Sequence, residues 1–210
     1  MGKKIDNHDP QAKLALRRYM LNKYHAEGPL DVMDCCQGSG VLWHTLCKEF
    51  WVSSYWGLDR KVKKGRLKLD SSRVLAQPGW TQNVIDIDTY GSPWRHWQAM
   101  LPNISQPTTV FLTVGQCQMG VSKEVKEALG INNIPVPPGI AIKLLPLSLR
   151  YLLFNNCING IIITEAVESV SVGTARYYGV HIEYKKTSGT KAATLDRSKP
   201  KQFNKDIAHV

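Results

Sequence analysis

The chain has 210 residues, 43% of them hydrophobic and 21% charged, which fits one folded domain with a sizeable core and leaves little room for two. A formal net charge of +10 attracts polyanions and puts nucleic acid first among the partners to consider, ahead of a simple solubility charge with a basic tail. No apolar run approaches the roughly 20 residues of a membrane span, and the start Met1-Gly2-Lys3-Lys4 carries charge with no apolar stretch behind it, which excludes a membrane protein and a secretory leader as expectations.

Asp9-Pro10 reads as a helix start, since Asp is a good N-cap and Pro fits the first helical position, where its missing N–H is no loss. Leu14, Leu16, Met20 and Leu21 take helical spacing, Lys13, Arg17 and Arg18 give a basic side, and Gly28-Pro29 stops the element. A buried strand follows over Leu30–Cys35, then a tight loop Gln37-Gly38-Ser39-Gly40, a helix over Val41–Phe50 and a second strand over Tyr55–Leu58. A basic turn with Arg60, Lys61, Lys63 and Lys64 leads to a third strand over Arg66–Leu69. A fourth covers Asn83–Ile87, a helix Pro93–Leu101 and a fifth strand Val110–Val114.

Residues 121–129 pattern as a helix, whereas the prolines of 134–139 lack donors and make that segment a loop or lid. A helix over Leu147–Ile158 precedes a sixth strand, Ile161–Ala166, and a seventh, Tyr177–Lys185. The short connection through Gly173 predicts that these two pair antiparallel. The expected organisation is an N-terminal basic helix over 1–28, an α/β unit over 29–186 and a basic, mobile tail over 187–210. The five cysteines, an odd number that includes the adjacent Cys35-Cys36, contain no CxxC. They fit a cytoplasmic address and speak against a disulfide framework and a zinc site.

Chemistry concentrates at strand ends. Asp34-Cys35-Cys36-Gln37-Gly38-Ser39-Gly40 closes the first strand, where glycines let backbone approach a ligand in the crevice of a doubly wound sheet. Trp43 stands where a dinucleotide site wants a third glycine, and the Gly-Lys-Ser/Thr of a P-loop is absent. The pattern Asp-x-x-x-Gly-x-Gly resembles motif I of class I S-adenosylmethionine-dependent methyltransferases. That resemblance implies a Rossmann-like fold with a seven-stranded, mostly parallel sheet and a C-terminal antiparallel hairpin. It also implies S-adenosylmethionine as cofactor, held by Asp34, Cys36, Gly38 and Gly40.

Asp59, closing the second strand, can accept both hydroxyls of a ribose, the role of this position in the family. Asp70 looks like the acid after the family's third strand, which receives the adenine amino group. Were Asn83–Asp86 the third strand, Asp86 would take that role, but the Asp70 register leaves the later strands with their usual partners.

The most specific string is Ile85-Asp86-Ile87-Asp88-Thr89-Tyr90-Gly91-Ser92-Pro93. It resembles the Ile-Asp-Leu-Asp-Pro-Phe-Gly-Ser-Pro of the tRNA guanine-N2 dimethyltransferase family, and more distantly the Asp-Pro-Pro-Tyr of adenine-N6 methyltransferases. Leu149–Leu153 and Ser169–Lys185, with Tyr177-Tyr178, look like that family's last helix and hairpin, so the resemblance covers roughly residues 30–185. Two features depart from it: Thr89 replaces the family's proline, and its extra C-terminal domain has no counterpart in these 210 residues.

The resemblance implies methyl transfer to an exocyclic amino group of a nucleic-acid base, RNA ahead of DNA. Asp88 is the expected catalytic acceptor of the amino hydrogens, orienting the lone pair and stabilising developing charge. Tyr90 is expected either to stack on the base or to pack under the loop. The basic residues Arg60, Lys61, Lys63, Lys64, Arg66, Lys68 and Arg95 lie near these motifs with His96, and Trp94 and Trp97 among them serve as core or as platform. Two further readings stay open: a methyltransferase of a small molecule or protein, which needs no basic surface, and a catalytically silent nucleic-acid-binding module on the same fold.

Overall fold

Regular structure follows the hydrophobic periodicity closely. The structure is a computed structural model and describes residues 9–61, 67–89, 91–115, 123–128, 131–132, 134–137, 140, 150, 152–153, 160–170 and 175–185. The first helix, α1 (Pro10–Tyr24), is capped by Asp9, whose Oδ1 accepts the Ala12 N–H at 3.0 Å, with Pro10 in the first turn. It is followed by β1 (Leu30–Asp34), α2 (Val41–Leu46), β2 (Val52–Asp59), the two-residue β3 (Leu67–Lys68) and α3 (Ser71–Leu75). Then come β4 (Val84–Ile87), α4 (Trp94–Met100) running into a 3-10 turn over Leu101–Asn103, and β5 (Thr108–Val114). A helix α5 (Lys123–Ala128) and the strands β6 (Ile161–Val170) and β7 (Arg176–Tyr184) complete the described elements.

The strands form one seven-stranded sheet in the order β3-β2-β1-β4-β5-β7-β6. The first five run parallel, β7 lies antiparallel between β5 and β6, and the predicted antiparallel pairing of the last two strands is present. The third strand is the one over Leu67–Lys68, beside β2, while Val84–Ile87 pairs with β1 and β5. The register that puts Asp70 after the third strand therefore holds, and Asp86 belongs to β4.

Both faces of the sheet are covered, and the period of two in each strand decides which side chain meets which layer. Val32, Val84, Phe111 and Tyr177 face α1 and α2, where Leu16, Met20, Leu21, Trp43 and Leu46 complete one core. Met33, Ile85, Ile87, Val110, Leu112 and Tyr178 face the other way, onto Leu75, Trp80, Trp94, Trp97 and Met100. Trp94 and Trp97 are thus core residues and not a platform for a base. α1 lies close against Gly179 on β7: a Cβ there would lie 2.7 Å from Met20 Cγ and 3.3 Å from Leu16 Cδ1.

Several bounds shift. α1 ends at Tyr24, before Gly28-Pro29, and α2 stops at Leu46 because Lys48 and Glu49 donate to carbonyls three residues back, the tightened bonding of a helix end. β6 runs on to Val170, and the short α3 had no expectation. Of the predicted helix over 147–158, Arg150, Leu152 and Leu153 are helical, and the rest lies outside the described residues, as do the connection through Gly173 and the tail over 187–210. Residues 134–137 carry no regular structure, in line with their prolines. Among the described residues, no helix is long and apolar enough to cross a membrane.

Candidate active site at the carboxyl edge of the sheet

Parallel strands bring their carboxyl ends to one edge, and register fixes what meets there. Asp34 is level with Gly57 of β2 on one side and with Asp86 of β4 on the other. Asp59 and Asp88 each stand two residues further on, one to either side of β1, with strands spaced about 4.8 Å apart. The edge opens where the strand order reverses, at β1, which is the crevice that binds ligands in doubly wound sheets.

The loop after β1 is built for close approach. Gly38 and Gly40 take φ of 54° and 73°, the left-handed region that side chains rarely adopt. The Gly38 N–H donates to Asp59 Oδ2 at 3.2 Å and the Lys61 N–H to Oδ1 at 2.9 Å, which ties the loop to the end of β2. Cys36 donates its N–H to Asp34 Oδ1 at 3.3 Å, and burial, aided by the charge of Asp34, pushes its thiol up to about 12.

Asp34 is buried and accepts the Tyr55 hydroxyl at 2.7 Å. Burial, reinforced by the neighbouring Asp86 carboxylate, pushes its carboxyl up to about 8. Asp70 caps α3: its Oδ1 accepts from the Ser72 N–H and hydroxyl, and its Oδ2 pairs with the Arg60 guanidinium at 2.9 Å. The Ser72 hydroxyl first, then Arg60, hold it down to about 2 against a burial effect that acts the other way.

The basic side expected on α1 turns inward at its two key positions. Lys13 and Arg17 share the apolar stripe with Leu16, Met20 and Leu21 and are buried. Arg17 Nε and Nη2 donate to the two oxygens of Asp86 at 2.8 and 2.7 Å, and Trp43 Nε1 donates to Asp86 Oδ2 at 2.7 Å. Arg17 Nη1 donates to the Lys13 carbonyl at 3.1 Å, and the guanidinium lies 5.0 Å from the Phe111 ring centroid. Lys13 Nζ donates to both Asp88 oxygens at 2.6 Å.

Burial works against ionisation of Asp88, but the charges of Lys13 and Arg17 outweigh it and hold the carboxyl below its ordinary range. Two cations thus face the three carboxylates Asp34, Asp86 and Asp88, and a proton on Asp34 makes the set neutral. The sequence carried one signal of this arrangement: cations at positions 13 and 17 fall on the helical stripe of 16, 20 and 21, and a cation in a buried stripe needs a partner.

Cys36, Gly38, Gly40 and Asp59 therefore surround one corner with Asp34 beneath, and Asp88 flanks the other side of β1. Asp70 stands apart at the end of β3, engaged with α3 and Arg60. Tyr90 lies outside the described residues. Arg60, Lys61, Lys68, Arg73 and Arg95 are exposed, and so is Trp56 on β2, at 43%.

A parallel sheet in this order, closed by an antiparallel last strand, with a glycine loop and acids at its carboxyl edge, is the Rossmann-like fold of the class I methyltransferases. Among solved structures the chain is similar to Trm1 from Pyrococcus horikoshii in complex with S-adenosyl-L-methionine. The identity is 14% and the TM-score 0.58, over 88% of this chain and 58% of that one, so the chain spans less than two thirds of that enzyme's length. It is also similar to the plantazolicin methyltransferase BamL in complex with a triazolic desmethyl analogue and SAH (9% identity, TM-score 0.52, 84% of this chain and 86% of that one). The related plantazolicin methyltransferase BpumL, in complex with a pentazolic analogue and SAH, gives 10% identity and a TM-score of 0.50, with 84% of each chain covered. No protein-family model matches the chain, and no curated protein matches it in sequence.

Proposed function

We propose that the protein is an S-adenosylmethionine-dependent methyltransferase acting on an exocyclic amino group of a nucleic-acid base, RNA ahead of DNA. The observation that carries this reading is the placement of Asp88: it stands at the carboxyl edge, across β1 from the glycine loop and Asp59, with its two oxygens fixed by one ammonium. The residues present fit the cofactor. The left-handed glycines leave backbone open to a ligand, Asp59 places a carboxylate beside that loop at the end of β2, where ribose hydroxyls could donate, and Asp70 offers a carboxylate at the end of β3. Bound there, the cofactor supplies a methyl group on a positively charged sulfur.

The task left to this chain is to present a nitrogen whose lone pair is delocalised into a ring. Asp88 has about two acceptor sites beyond those that Lys13 occupies, enough to take hydrogen bonds from an amino group. Such bonds turn the lone pair toward the methyl group and stabilise the positive charge that grows on nitrogen. Tyr90, two residues on, is the candidate stacking partner for the base. The net charge of +10 and the exposed Lys61, Lys68, Arg73 and Arg95 supply phosphate contacts, and the exposed Trp56 replaces Trp94 and Trp97 as candidate aromatic platform.

The likeness to the plantazolicin methyltransferases, which match over most of both chains, supports a second reading in which the acceptor is a peptide or small molecule. The test is methyl transfer from methyl-labelled S-adenosylmethionine to pooled tRNA, duplex DNA, single-stranded DNA or no acceptor. Label should enter one nucleic acid and leave on digestion with the matching nuclease. Asp88→Asn should abolish transfer while calorimetric affinity for the cofactor stays within a few fold, and unchanged turnover would remove Asp88 from its role. Nucleic-acid affinity should fall steeply with salt, and a flat response would favour the second reading.

A further inference from the structure

Asp88 is fixed from outside its own strand. The residue that reaches it, Lys13, comes from a helix that precedes the whole sheet and packs on β7, where the Asp9 N–H donates to the Tyr177 hydroxyl at 3.0 Å. Lys13 is 2% exposed in its residue surface and the Asp88 side chain 21%, so the ammonium lies behind the carboxylate and the carboxylate lies toward solvent. Nζ is equidistant from both oxygens at 2.6 Å and sits 5.2 Å from the Tyr177 ring centroid, which adds a cation–π contact on its other side. Arg17, one helical turn on, is locked on Asp86 and holds the Lys13 carbonyl, so the turn that carries Lys13 cannot rotate without breaking a buried ion pair.

We propose that Lys13 is a positioning residue: its ammonium fixes the orientation of the Asp88 carboxylate from behind, so that α1 is part of the catalytic apparatus and not only a cover for the sheet. This rests on the reading of Asp88 as acceptor of the amino hydrogens. An ammonium centred between the two oxygens leaves their outer lone pairs facing the open edge, and a chelated carboxylate does not rotate to follow water. Lys13 also offsets the Asp86 carboxylate on the same strand; the Asp34 carboxyl on β1 and the Cys36 thiol after it face Asp88 too, with Arg17 of α1, Thr113 of β5 and Tyr177 of β7 completing the surround. Without Lys13, Asp88 would be a carboxylate beside the Asp86 carboxylate and the Asp34 carboxyl, with only Arg17, already committed to Asp86, to balance it. Its protonation would then rise into the working range of pH.

The test uses the full chain and three variants, Lys13→Met, Lys13→Gln and Lys13→Arg, each checked for folding by thermal melting. The first readout needs no substrate: carbon-13 NMR of the side-chain carboxyls, with Asp88 assigned by its loss in Asp88→Asn. Asp88 should titrate below the ordinary aspartate range in the wild type and at Lys13→Arg, and move upward in Lys13→Met and Lys13→Gln. The second readout is kcat and KM against pH with the acceptor found in the transfer assay. Lys13→Met and Lys13→Gln should lower kcat roughly 10- to 100-fold, move the acidic limb of the profile to higher pH and leave the cofactor Kd unchanged, and Lys13→Arg should recover most of the rate.

Should Lys13→Met not fold, Lys13→Gln, which keeps a hydrogen-bond donor without the charge, carries the comparison. An Asp88 titration and an acidic limb that stay in place in the neutral variants would overturn the proposal. Wild-type protein that transfers no methyl group, yet shows the Asp88 shift, would overturn the proposed function and leave the Lys13 contact standing.

Discussion

At the scale of single residues, the buried charges are the most consequential choice in this chain. Arg17 and Asp86 are both almost without solvent and are satisfied by a two-pronged contact, the Trp43 indole and the Lys13 carbonyl. Taking away one partner strands the other as an uncompensated charge, so Arg17→Met should cost about 3–5 kcal/mol in urea unfolding. Arg17→Met combined with Asp86→Asn should recover a large part of that loss, and additive costs would show that the two do not act as a pair. Asp34, Gly38, Gly40 and Asp59 were legible because a glycine loop after a strand and an acid closing the next strand are local patterns. Asp88 was legible from its string alone. Its partner was not, because nothing local to residue 88 points to residue 13, 75 positions earlier.

At the scale of elements, α1 shows why a basic side and a buried side were hard to separate. Arg18 and Lys23 do face outward, to Glu49 and Glu165, whereas Lys13 and Arg17 lie in the apolar stripe. Position on or off that stripe separates the two pairs, and the acids opposite complete each. The helix is also held by shape. With 2.7 Å from a hypothetical Cβ at Gly179 to Met20 Cγ, Gly179→Ala must displace the Met20 side chain or the helix that carries it and should lower stability by about 1–3 kcal/mol. Met20→Ala in the same chain should recover part of the loss, measured by the same unfolding curves. The extension of β6 from Ala166 to Val170 escaped the sequence because Glu168 and Ser169 break its apolar run. At an edge strand, such charges are compatible with pairing and keep the free edge from recruiting another chain. α3 escaped because five residues hold too little periodicity to register.

At the scale of the whole molecule, the alternation of strands and helices made the doubly wound plan readable, and the short gap before β7 made its antiparallel end readable. Which face each helix covers was not readable, because handedness and strand order settle it only once the sheet exists. Far from the carboxyl edge, α1, β5 and β7 are joined by a polar chain. His25 caps α1 and meets the Thr109 hydroxyl at 2.8 Å, that hydroxyl meets His181 Nδ1 at 2.9 Å, and the His181 ring stacks on Tyr24 at 3.7 Å. Burial, then the proximity of His181, lowers His25 to about 4. The unfolded chain takes up that proton near the ordinary value of about 6.5, so the folded state loses stability as pH falls between the two values. Asp34, raised to about 8, acts in the opposite sense over the same range. The informative quantity is thus the difference between wild type and His25→Gln in thermal melting from pH 7 to pH 4, which should change in favour of the variant as acid is added.

The position of β7 inside the sheet has a bearing on how the protein comes to exist. Translation delivers α1 early and β7 late, with the partners Asp9 and Tyr177 separated by 168 residues. Until β7 inserts between β5 and β6, α1 has no strand at Gly179 to close against, and Lys13 and Arg17 have no dry cavity in which to pair. Contacts so distant along the chain are slow to form. A nascent chain halted before residue 176 therefore lacks the strand that α1 closes against and leaves the β5 edge without its partner. Arrival of β7 and closure of the active site become one event.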